Sequence, residues 1–186
     1  LDAELILIND GSQDGVWDVI KRIVAKHTEV KGVNFLKNYG QHTAVLCGME
    51  IAQGDFLITM DDDLQNPPSE ISKLVEKVQQ GYDLVFARFA QKKHPGYRRL
   101  GSRLIGYLNK KVFDKPDGLV LTNFRIFTRE TAQRALQYRT NYPYIPGLLL
   151  KSAGLMANVK TEHRARPEGV SNYSLWKILQ LVSRLL

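Results

Sequence analysis

The chain has 186 residues, 44% of them hydrophobic and 24% charged, which is ordinary for one globular domain with a single core. The single cysteine, Cys47, excludes an internal disulfide framework, and no apolar run approaches the ~20 residues that a membrane-spanning helix needs. The formal net charge of +7 is concentrated between Arg88 and Phe113, where eight basic residues and no acid suit phosphates, a nucleic acid or an anionic membrane surface.

Short apolar runs, followed by polar turns and then by residues at helical spacing, alternate along the first half of the chain. The predicted strands are Glu4–Ile8, Gly32–Leu36, Phe56–Met60 and Asp83–Ala87. The predicted helices begin near Val16, Thr43 and Ser69. Four apolar strands alternating with three helices predict an α/β fold with a mostly parallel sheet flanked by helices.

The pattern changes in the second half of the chain, where helices predominate. We predict helices around Arg98–Phe113, Arg129–Tyr138 and Ile145–Ala153, an extended segment at Leu119–Arg129 and a strand at Leu155–Arg164. A polar, basic loop then leads to Leu175–Leu186, an amphipathic helix with Trp176 on its wide apolar side. This helix would lie either in a membrane interface or against the core of the domain.

Three consecutive acids follow the third predicted strand, at the edge of an open α/β sheet where ligands bind. Asp61, Asp62 and Asp63 repel one another unless a cation lies among them. In extended chain, Asp61 and Asp63 point to the same side, and Gln65 is the next side chain in that row. This spacing predicts a site for Mg²⁺ or Mn²⁺, completed by substrate phosphate oxygens. The alternative is an acidic turn that only caps the following helix.

Other polar side chains are expected at the same edge of the sheet. Asp10 ends the first strand beside Gly11, which suits a carboxylate binding a base or ribose, although a turn-forming role explains it equally well. Arg88 follows the fourth strand and could bind a diphosphate. The phosphate-binding loop Gly-x-x-x-x-Gly-Lys-Ser/Thr, the Gly-x-Gly-x-x-Gly fingerprint and a zinc-type histidine spacing are all missing from the sequence. These observations favour a metal-bound nucleoside diphosphate that carries a leaving-group partner.

Several segments together resemble the family 2 glycosyltransferases with a GT-A fold. They are Ile8–Ser12, Lys37–His42, Met60–Pro68, Gly81–Asp83 and the closing Arg166–Ser174. Within this family the chain is most similar to polyprenyl-phosphate sugar transferases, of the dolichol-phosphate mannose synthase and undecaprenyl-phosphate 4-deoxy-4-formamido-L-arabinose transferase types. The resemblance covers nearly the whole chain.

The resemblance implies an inverting transfer from a nucleotide-diphosphate sugar to a polyprenyl phosphate in cell-envelope glycan synthesis, at the cytoplasmic face of a bacterial inner membrane. It implies catalytic roles for Asp63, Arg125 and Arg88. Nucleotide-sugar contacts would come from Asp10, Gly11, Asn38, Gln41, Asp61 and Asp62. The acceptor phosphate would meet Arg166 and Asn172, and Mg²⁺ or Mn²⁺ would be held by Asp61, Asp63 and Gln65.

The sequence departs from the family pattern at two positions and at both ends. Asp62 stands where many relatives have alanine, and Asn123 stands where many carry the aspartate of an Asp-Phe-Arg sequence. If that acid is a base in relatives, then here either no base is needed or the acceptor differs. The first family strand and the membrane helices usual after the last helix are missing, so we expect a catalytic domain at 1–174, truncated at its start, a membrane-interface helix at 175–186 and no competence of the chain by itself.

Two other classes of function compete with this interpretation. A glycosyltransferase could act on a glycan or protein acceptor, and a basic module could bind nucleic acid through Arg88–Phe113. The sequence has no zinc knuckle, no RNP-type aromatic motif and no repeat, so we expect no nucleic-acid partner. A pseudoenzyme that only binds nucleotide, and a homo-oligomer, stay open.

Overall fold

The computed structural model describes residues 2–89, 106–107 and 109–164. The strands are β1 (Leu5–Asn9), β2 (Val30–Asn34), β3 (Phe56–Thr59), β4 (Leu84–Phe89), β5 (Arg125–Thr128) and β6 (Met156–Thr161). The helices are α1 (Val16–Val24), α2 (Gln41–Ile51), α3 (Ile71–Val78), α4 (Arg129–Leu136) and α5 (Ile145–Ser152), with a 3₁₀ turn at Pro68–Glu70 ahead of α3. Residues 106–107 and 109–113 are also helical.

Within the described residues, the predicted elements are present with their ends shifted by a few residues. Local chemistry explains several boundaries. The 3₁₀ turn begins at Pro68, whose fixed φ suits a first helical position. Thr128 caps α4, its side chain accepting a hydrogen bond from the Thr131 amide. Most of the predicted helix at 98–113, the interfacial helix at 175–186, and Arg166 and Asn172 lie outside the described residues.

Strand pairing divides the described strands between two sheets. β1 and β2 form a parallel pair, and the second sheet has the order β3-β5-β4-β6. In the second sheet β4 and β6 are parallel, whereas β5 is antiparallel to both β3 and β4. Among the described strands of this sheet, β5 alone therefore runs against the common direction of β3, β4 and β6. Three of the four strands run in the same direction, as predicted for a mostly parallel sheet. The two ladders that β5 forms, with β3 and with β4, are nevertheless antiparallel.

Helices cover both faces of the second sheet. Along β4, Leu84 and Phe86 join a buried cluster with α2, α4 and α5, while Val85 and Ala87 join a second cluster with α3. All four side chains are fully buried. A strand with helices on both faces has apolar side chains at consecutive positions, which explains the continuous apolar run in the sequence of β4.

Several chain ends meet at one edge of this sheet. Thr59, the last residue of β3, pairs with Arg125, the first of β5. Phe89, the last residue of β4, pairs with Thr161, the last of β6. The end of β4, the described segments that follow β3 and β6, and the segment that precedes β5 therefore lie together. In the part of the chain that the structure describes, no helix is both long and apolar enough to cross a bilayer.

Candidate active site

The acidic segment after β3 keeps the alternation that its sequence predicts. Asp61, Asp63 and Gln65 are partly buried, whereas Asp62 and Leu64 are exposed. The Asp63 side chain accepts a hydrogen bond from the Gln65 amide at 3.1 Å, which fixes the turn locally. Leu64 has a φ of 59°, an uncommon value for a residue with a branched side chain, so the turn is held by its surroundings.

A pocket of about 280 Å³ opens at this edge of the sheet. Its walls come from the acidic segment, the end of β4, the approach to β5 and the segment after β6. The lining residues are Asp61, Asp63, Gln65, Asn66, Phe89, Leu121, Thr122, Asn123, Phe124 and His163. The structure thus brings together the three side chains predicted to hold a metal, while their role as ligands stays a prediction.

The environment of Asp61 shifts the pKa of its carboxylate. Burial raises its pKa, and the charges of Asp63 and Asp62 raise it further, while a hydrogen bond from Asn123 and the charge of Arg125 act in the opposite direction. The Gln41 side-chain amide donates to Asp61 Oδ1, and Asn123 Nδ2 donates to Asp61 Oδ2 at 3.3 Å. A cation placed between the two carboxylates would offset both the burial and the repulsion that raise this pKa.

The donor set suits a metal that is shared with a substrate. In the described ranges no group of three or more histidine, cysteine or acidic side chains could hold an ion by itself. The pocket instead offers two carboxylates, Asp61 and Asp63, and the side chain of Gln65, whose Nε2 donates to the Arg164 carbonyl at 3.3 Å. Mg²⁺ is commonly bound in this way, by one or two carboxylates together with substrate phosphates and water.

Arg125 lies behind the pocket rather than on its surface. Its side chain is buried, with 1% exposed, and burial lowers its pKa to about 10. Nε donates to Thr59 Oγ1 at 3.1 Å, and that hydroxyl donates to the Asn123 carbonyl at 2.6 Å. Arg125 therefore holds the wall that carries Asn123 and places a positive charge near Asp61. This arrangement does not place the Arg125 side chain in contact with a substrate phosphate, so its catalytic role stays a prediction.

Two further predicted residues also lie away from the pocket lining. Arg88 is exposed on β4, and because side chains alternate along a strand it points away from the face of its neighbour Phe89, which lines the pocket. Asp62 is exposed between the two pocket carboxylates. Their assigned roles would require a substrate that extends beyond the pocket.

The loops after β1 and β2 are joined by Asp10. Its carboxylate accepts hydrogen bonds from the backbone amides of Tyr39 at 2.7 Å and Gly40 at 2.9 Å, and its carbonyl accepts one from Asn38 Nδ2 at 3.1 Å. Gly11, with a φ of 74°, lets the loops touch, since a Cβ there would lie 2.4 Å from a main-chain carbon. These contacts give Asp10 the turn-forming role that the sequence analysis considered beside nucleotide binding. The predicted contacts of Asp10, Gly11 and Asn38 with nucleotide stay predictions.

Sequence reasoning missed several residues of the pocket. The His163 ring stacks on Phe89, with centroids 4.2 Å apart. Asn66 is buried in the wall next to Gln65. Asn66 belongs to the acidic motif, so its position could have suggested a role. Nothing local to His163 indicates one, because its place depends on the pairing of β4 with β6.

Comparisons with known proteins agree with this arrangement. The model of glycosyl transferase family 2 matches residues 1–150. The undecaprenyl-phosphate 4-deoxy-4-formamido-L-arabinose transferase of Aeromonas hydrophila is 36% identical over 188 residues, covering 98% of this chain and 56% of the relative. The enzyme of that name from Erwinia tasmaniensis is 34% identical over 187 residues, covering 100% and 58%. The chain therefore spans little more than half the length of these relatives.

Solved structures share the fold. Glucosyl-3-phosphoglycerate synthase from Mycobacterium tuberculosis, in complex with phosphoglyceric acid, superposes with a TM-score of 0.64 at 18% identity, covering 98% of this chain and 67% of that one. Its complex with Mn²⁺, UDP-glucose and phosphoglyceric acid gives a TM-score of 0.60 at 20% identity, covering 98% and 68%. The predicted GT-A-like α/β fold is confirmed. Since the family model covers most of its length, the chain belongs to glycosyl transferase family 2.

Proposed function

We propose that the protein is an inverting glycosyltransferase that moves a sugar from a nucleotide-diphosphate sugar to a polyprenyl phosphate in bacterial cell-envelope synthesis. Family membership and the undecaprenyl-phosphate transferase names of the relatives support the reaction class. The observation that carries the proposal is the convergence of Asp61 and Asp63 on one pocket at the carboxyl end of β3.

Asp61 and Asp63 would hold Mg²⁺ or Mn²⁺ against the donor diphosphate, with Gln65 beside them. The ion would supply neutralising charge for the leaving nucleoside diphosphate as the bond to the sugar breaks. Gln41 and Asn123 orient Asp61 from two sides through hydrogen bonds to its two oxygens. Because two side-chain amides hold it in place, Asp61 can serve as a ligand with little reorganisation.

Asn123 favours a phosphate acceptor over a hydroxyl acceptor. It lines the pocket, and an amide cannot take a proton from an attacking hydroxyl. Asp61 and Asp63 would be committed to the cation. A phosphate acceptor is already anionic at pH 7 and needs positioning and charge neutralisation more than a base. A glycan or protein hydroxyl would need a base, and the Asn123 amide cannot be one.

The acceptor would lie at the cytoplasmic face of the membrane. Polyprenyl phosphates are lipids, so the acceptor phosphate has to be met at a bilayer surface. The basic segment that starts at Arg88 and the loop that begins after Arg164 supply the positive charge for such a surface. Gln65, which lines the pocket, donates a hydrogen bond to the carbonyl of Arg164, the last described residue before that loop.

Nucleotide binding tests the metal site directly. Thermal unfolding would be followed with UDP, GDP, CDP and TDP, each with and without Mn²⁺, in the wild type, Asp63→Asn and Asp55→Asn. We expect one nucleotide at a hundredfold excess over its Kd to raise Tm by about 5–10 °C only with Mn²⁺. Asp55→Asn is the matched control, since Asp55 is exposed directly before β3, at the end of that strand away from the pocket, and it should behave like the wild type. The shift should vanish in Asp63→Asn.

The reaction itself is tested by transfer of labelled sugar. We expect the wild type to label undecaprenyl phosphate and Asp63→Asn not to do so. An unchanged nucleotide shift in Asp63→Asn would contradict the metal role. Labelling of a hydroxyl-bearing glycan in place of the lipid would favour the alternative acceptor, and a salt-dependent shift with an oligonucleotide alone would favour a nucleic-acid module.

A further inference from the structure

Two buried polar side chains, one lining the pocket and one beside it, each carry an oxygen that has no hydrogen-bond partner among the described residues. Asn66 is 6% exposed and Thr161 is 4% exposed. Neither Asn66 Oδ1 nor Thr161 Oγ1 has a partner among the described residues. A buried polar atom left in this state costs free energy, and native proteins retain few of them. Such atoms therefore indicate a group that arrives from outside the fold.

The two side chains belong to segments that are fastened to each other. Gln65, next to Asn66, exchanges two hydrogen bonds with Arg164: the Arg164 amide donates to the Gln65 carbonyl at 2.9 Å, and Gln65 Nε2 donates to the Arg164 carbonyl at 3.3 Å. On the other side of Asn66, the buried Glu70 carboxylate accepts from the Glu162 amide at 3.0 Å. The chain around Asn66 is thus tied to the chain that follows Thr161.

Both side chains lie on the pocket side of the sheet. Asn66 itself lines the pocket. Thr161 pairs with Phe89, and paired strand residues point to the same face of a sheet, so Thr161 shares the face of a pocket-lining ring. His163, two residues farther along, also lines the pocket and stacks on Phe89. This end of the pocket therefore combines an aromatic wall with polar atoms that lack partners in the described structure.

The chemistry of these atoms limits the group that they can bind. Asn66 Oδ1 only accepts hydrogen bonds, so it suits a hydroxyl or N–H and opposes a phosphate oxygen. Thr161 Oγ1 can donate or accept. A sugar hydroxyl, which does both, matches the pair, and the neighbouring aromatic rings can cover the apolar face of a sugar ring.

The surroundings of the two Asp61 oxygens indicate which part of the donor, the transferred sugar or the ribose, would lie in the pocket. Asp61 Oδ1 faces Gln41, on the side of the loops predicted to hold the nucleoside. Asp61 Oδ2 faces Asn123, which lines the pocket. No lining residue comes from the chain before Asp61. If the diphosphate binds at Asp61 and the nucleoside lies on the Gln41 side, the pocket is available for the group on the other phosphate. That group is the sugar.

We propose that Asn66 and Thr161 form a polar subsite that binds a hydroxyl or N–H of the transferred sugar and helps to set which sugar is accepted. This inference rests on the proposed function, because it requires a nucleotide-sugar donor. It assigns to Asn66 and Thr161 a role that is separate from metal binding, since neither has a carboxylate. It also explains why two polar groups are buried beside an aromatic wall.

The test measures the contribution of the sugar separately from that of the nucleotide. Calorimetric titration with Mn²⁺ present would give Kd values for UDP and for UDP-4-deoxy-4-formamido-L-arabinose, the sugar named in the relatives. The variants are Thr161→Val, which keeps the shape of the side chain, and Asn66→Leu, which removes the amide at similar volume. The matched control is Thr128→Val, because the Thr128 hydroxyl is bonded to Thr131 at the opposite end of β5.

We expect each subsite variant to leave the Kd of UDP unchanged and to weaken binding of the sugar nucleotide about threefold to tenfold. Without ligand, Tm should stay equal or rise in Thr161→Val and Asn66→Leu, since each removes a buried group that lacks a partner. Thr128→Val should lower Tm and leave both Kd values unchanged, because it removes a helix cap.

Other outcomes would overturn the inference. A lowered Tm in both subsite variants with unchanged Kd values would mean that the two groups bond to another part of the chain. Equal weakening of UDP and the sugar nucleotide would assign them to the nucleotide, and a wild type that binds the sugar nucleotide no more tightly than UDP would remove the subsite. Failure of the wild type to bind any nucleoside diphosphate with Mn²⁺ would instead refute the proposed function.

Discussion

The histidine in the first turn of α2 should make the stability of the protein depend on pH. His42 lies with its ring edge-on against the Tyr144 ring, with centroids 5.5 Å apart. Burial, together with the nearby charge of Arg125, lowers the pKa of His42 to about 4. Protonation would place a second positive charge beside a buried guanidinium, at the helix end that disfavours cations. The folded protein therefore holds this ring neutral.

The sign and the size of the effect follow from the two pKa values. Between pH 6.5 and 4 the unfolded chain binds a proton at His42 that the folded protein does not bind. The stability contributed by His42 is thus fully present above pH 6.5 and is lost as pH falls toward 4. Lowering the pH from about 7.5 to 5 should reduce the free energy of unfolding by roughly 2 kcal/mol if the pKa of His42 is shifted by the whole amount. Because the ring is partly exposed, we expect about 1–2 kcal/mol. For a domain of this size the loss equals a fall in Tm of roughly 2–8 °C.

Thermal unfolding of the wild type, His42→Phe and His27→Phe at both pH values measures this contribution. Phenylalanine keeps an aromatic ring at position 42 but cannot bind a proton, so His42→Phe should lose less Tm on acidification than the wild type, by the amount above. His27 is exposed beside Glu29, and His27→Phe should follow the wild type. The raised pKa of Asp61 acts in the opposite direction and is common to all three proteins. An equal fall in Tm in the wild type and His42→Phe would refute the assignment.

Two further predictions concern the contacts that support the site. Gly11→Ala should lower the free energy of unfolding by about 2 kcal/mol or more. A Cβ there would lie 2.4 Å from a main-chain carbon, and the φ of 74° is itself unfavourable for alanine. Gly15→Ala, where φ is 79° but nothing lies within 4 Å, should cost only about 1 kcal/mol, and similar losses in denaturant unfolding would contradict the predicted clash. Glu70→Gln should lower Tm by roughly 2–6 °C, since the buried carboxylate pairs with an α3 lysine and accepts from the Glu162 amide. The exposed Glu76→Gln on the same helix should leave Tm unchanged, and an equal fall in both would assign no special role to the buried carboxylate.

Features with a short period could be predicted from the sequence. The partial burial of Asp61, Asp63 and Gln65, with exposed residues between them, follows from the alternation of side chains in extended chain. Apolar runs and turn residues also located β3 and β4 to within a few residues. These features depend on neighbours in the chain, so local chemistry is sufficient to predict them.

The shape of the pocket could not be predicted in this way, because it depends on pairing between distant segments. The insertion of β5 between β3 and β4 brings Asn123 to Asp61, 62 positions apart in the chain. The alignment of Phe89 with Thr161 places His163 in the same wall. A sequence shows that such segments are extended, but their order and direction are set by burial on both faces of the sheet.

Arg125 shows how a single position in a strand changes the chemistry of a residue. It pairs with Phe86 and so shares the face that packs on α2 and α5, whereas its neighbour Phe124 lines the pocket. The family resemblance implies a catalytic role for Arg125. The pleat instead buries it, and in a medium of low dielectric its charge still acts on Asp61 across the wall. Under the proposed function the pocket accepts both a cation and an anionic donor, and the buried arginine gives it positive potential without occupying the space of either.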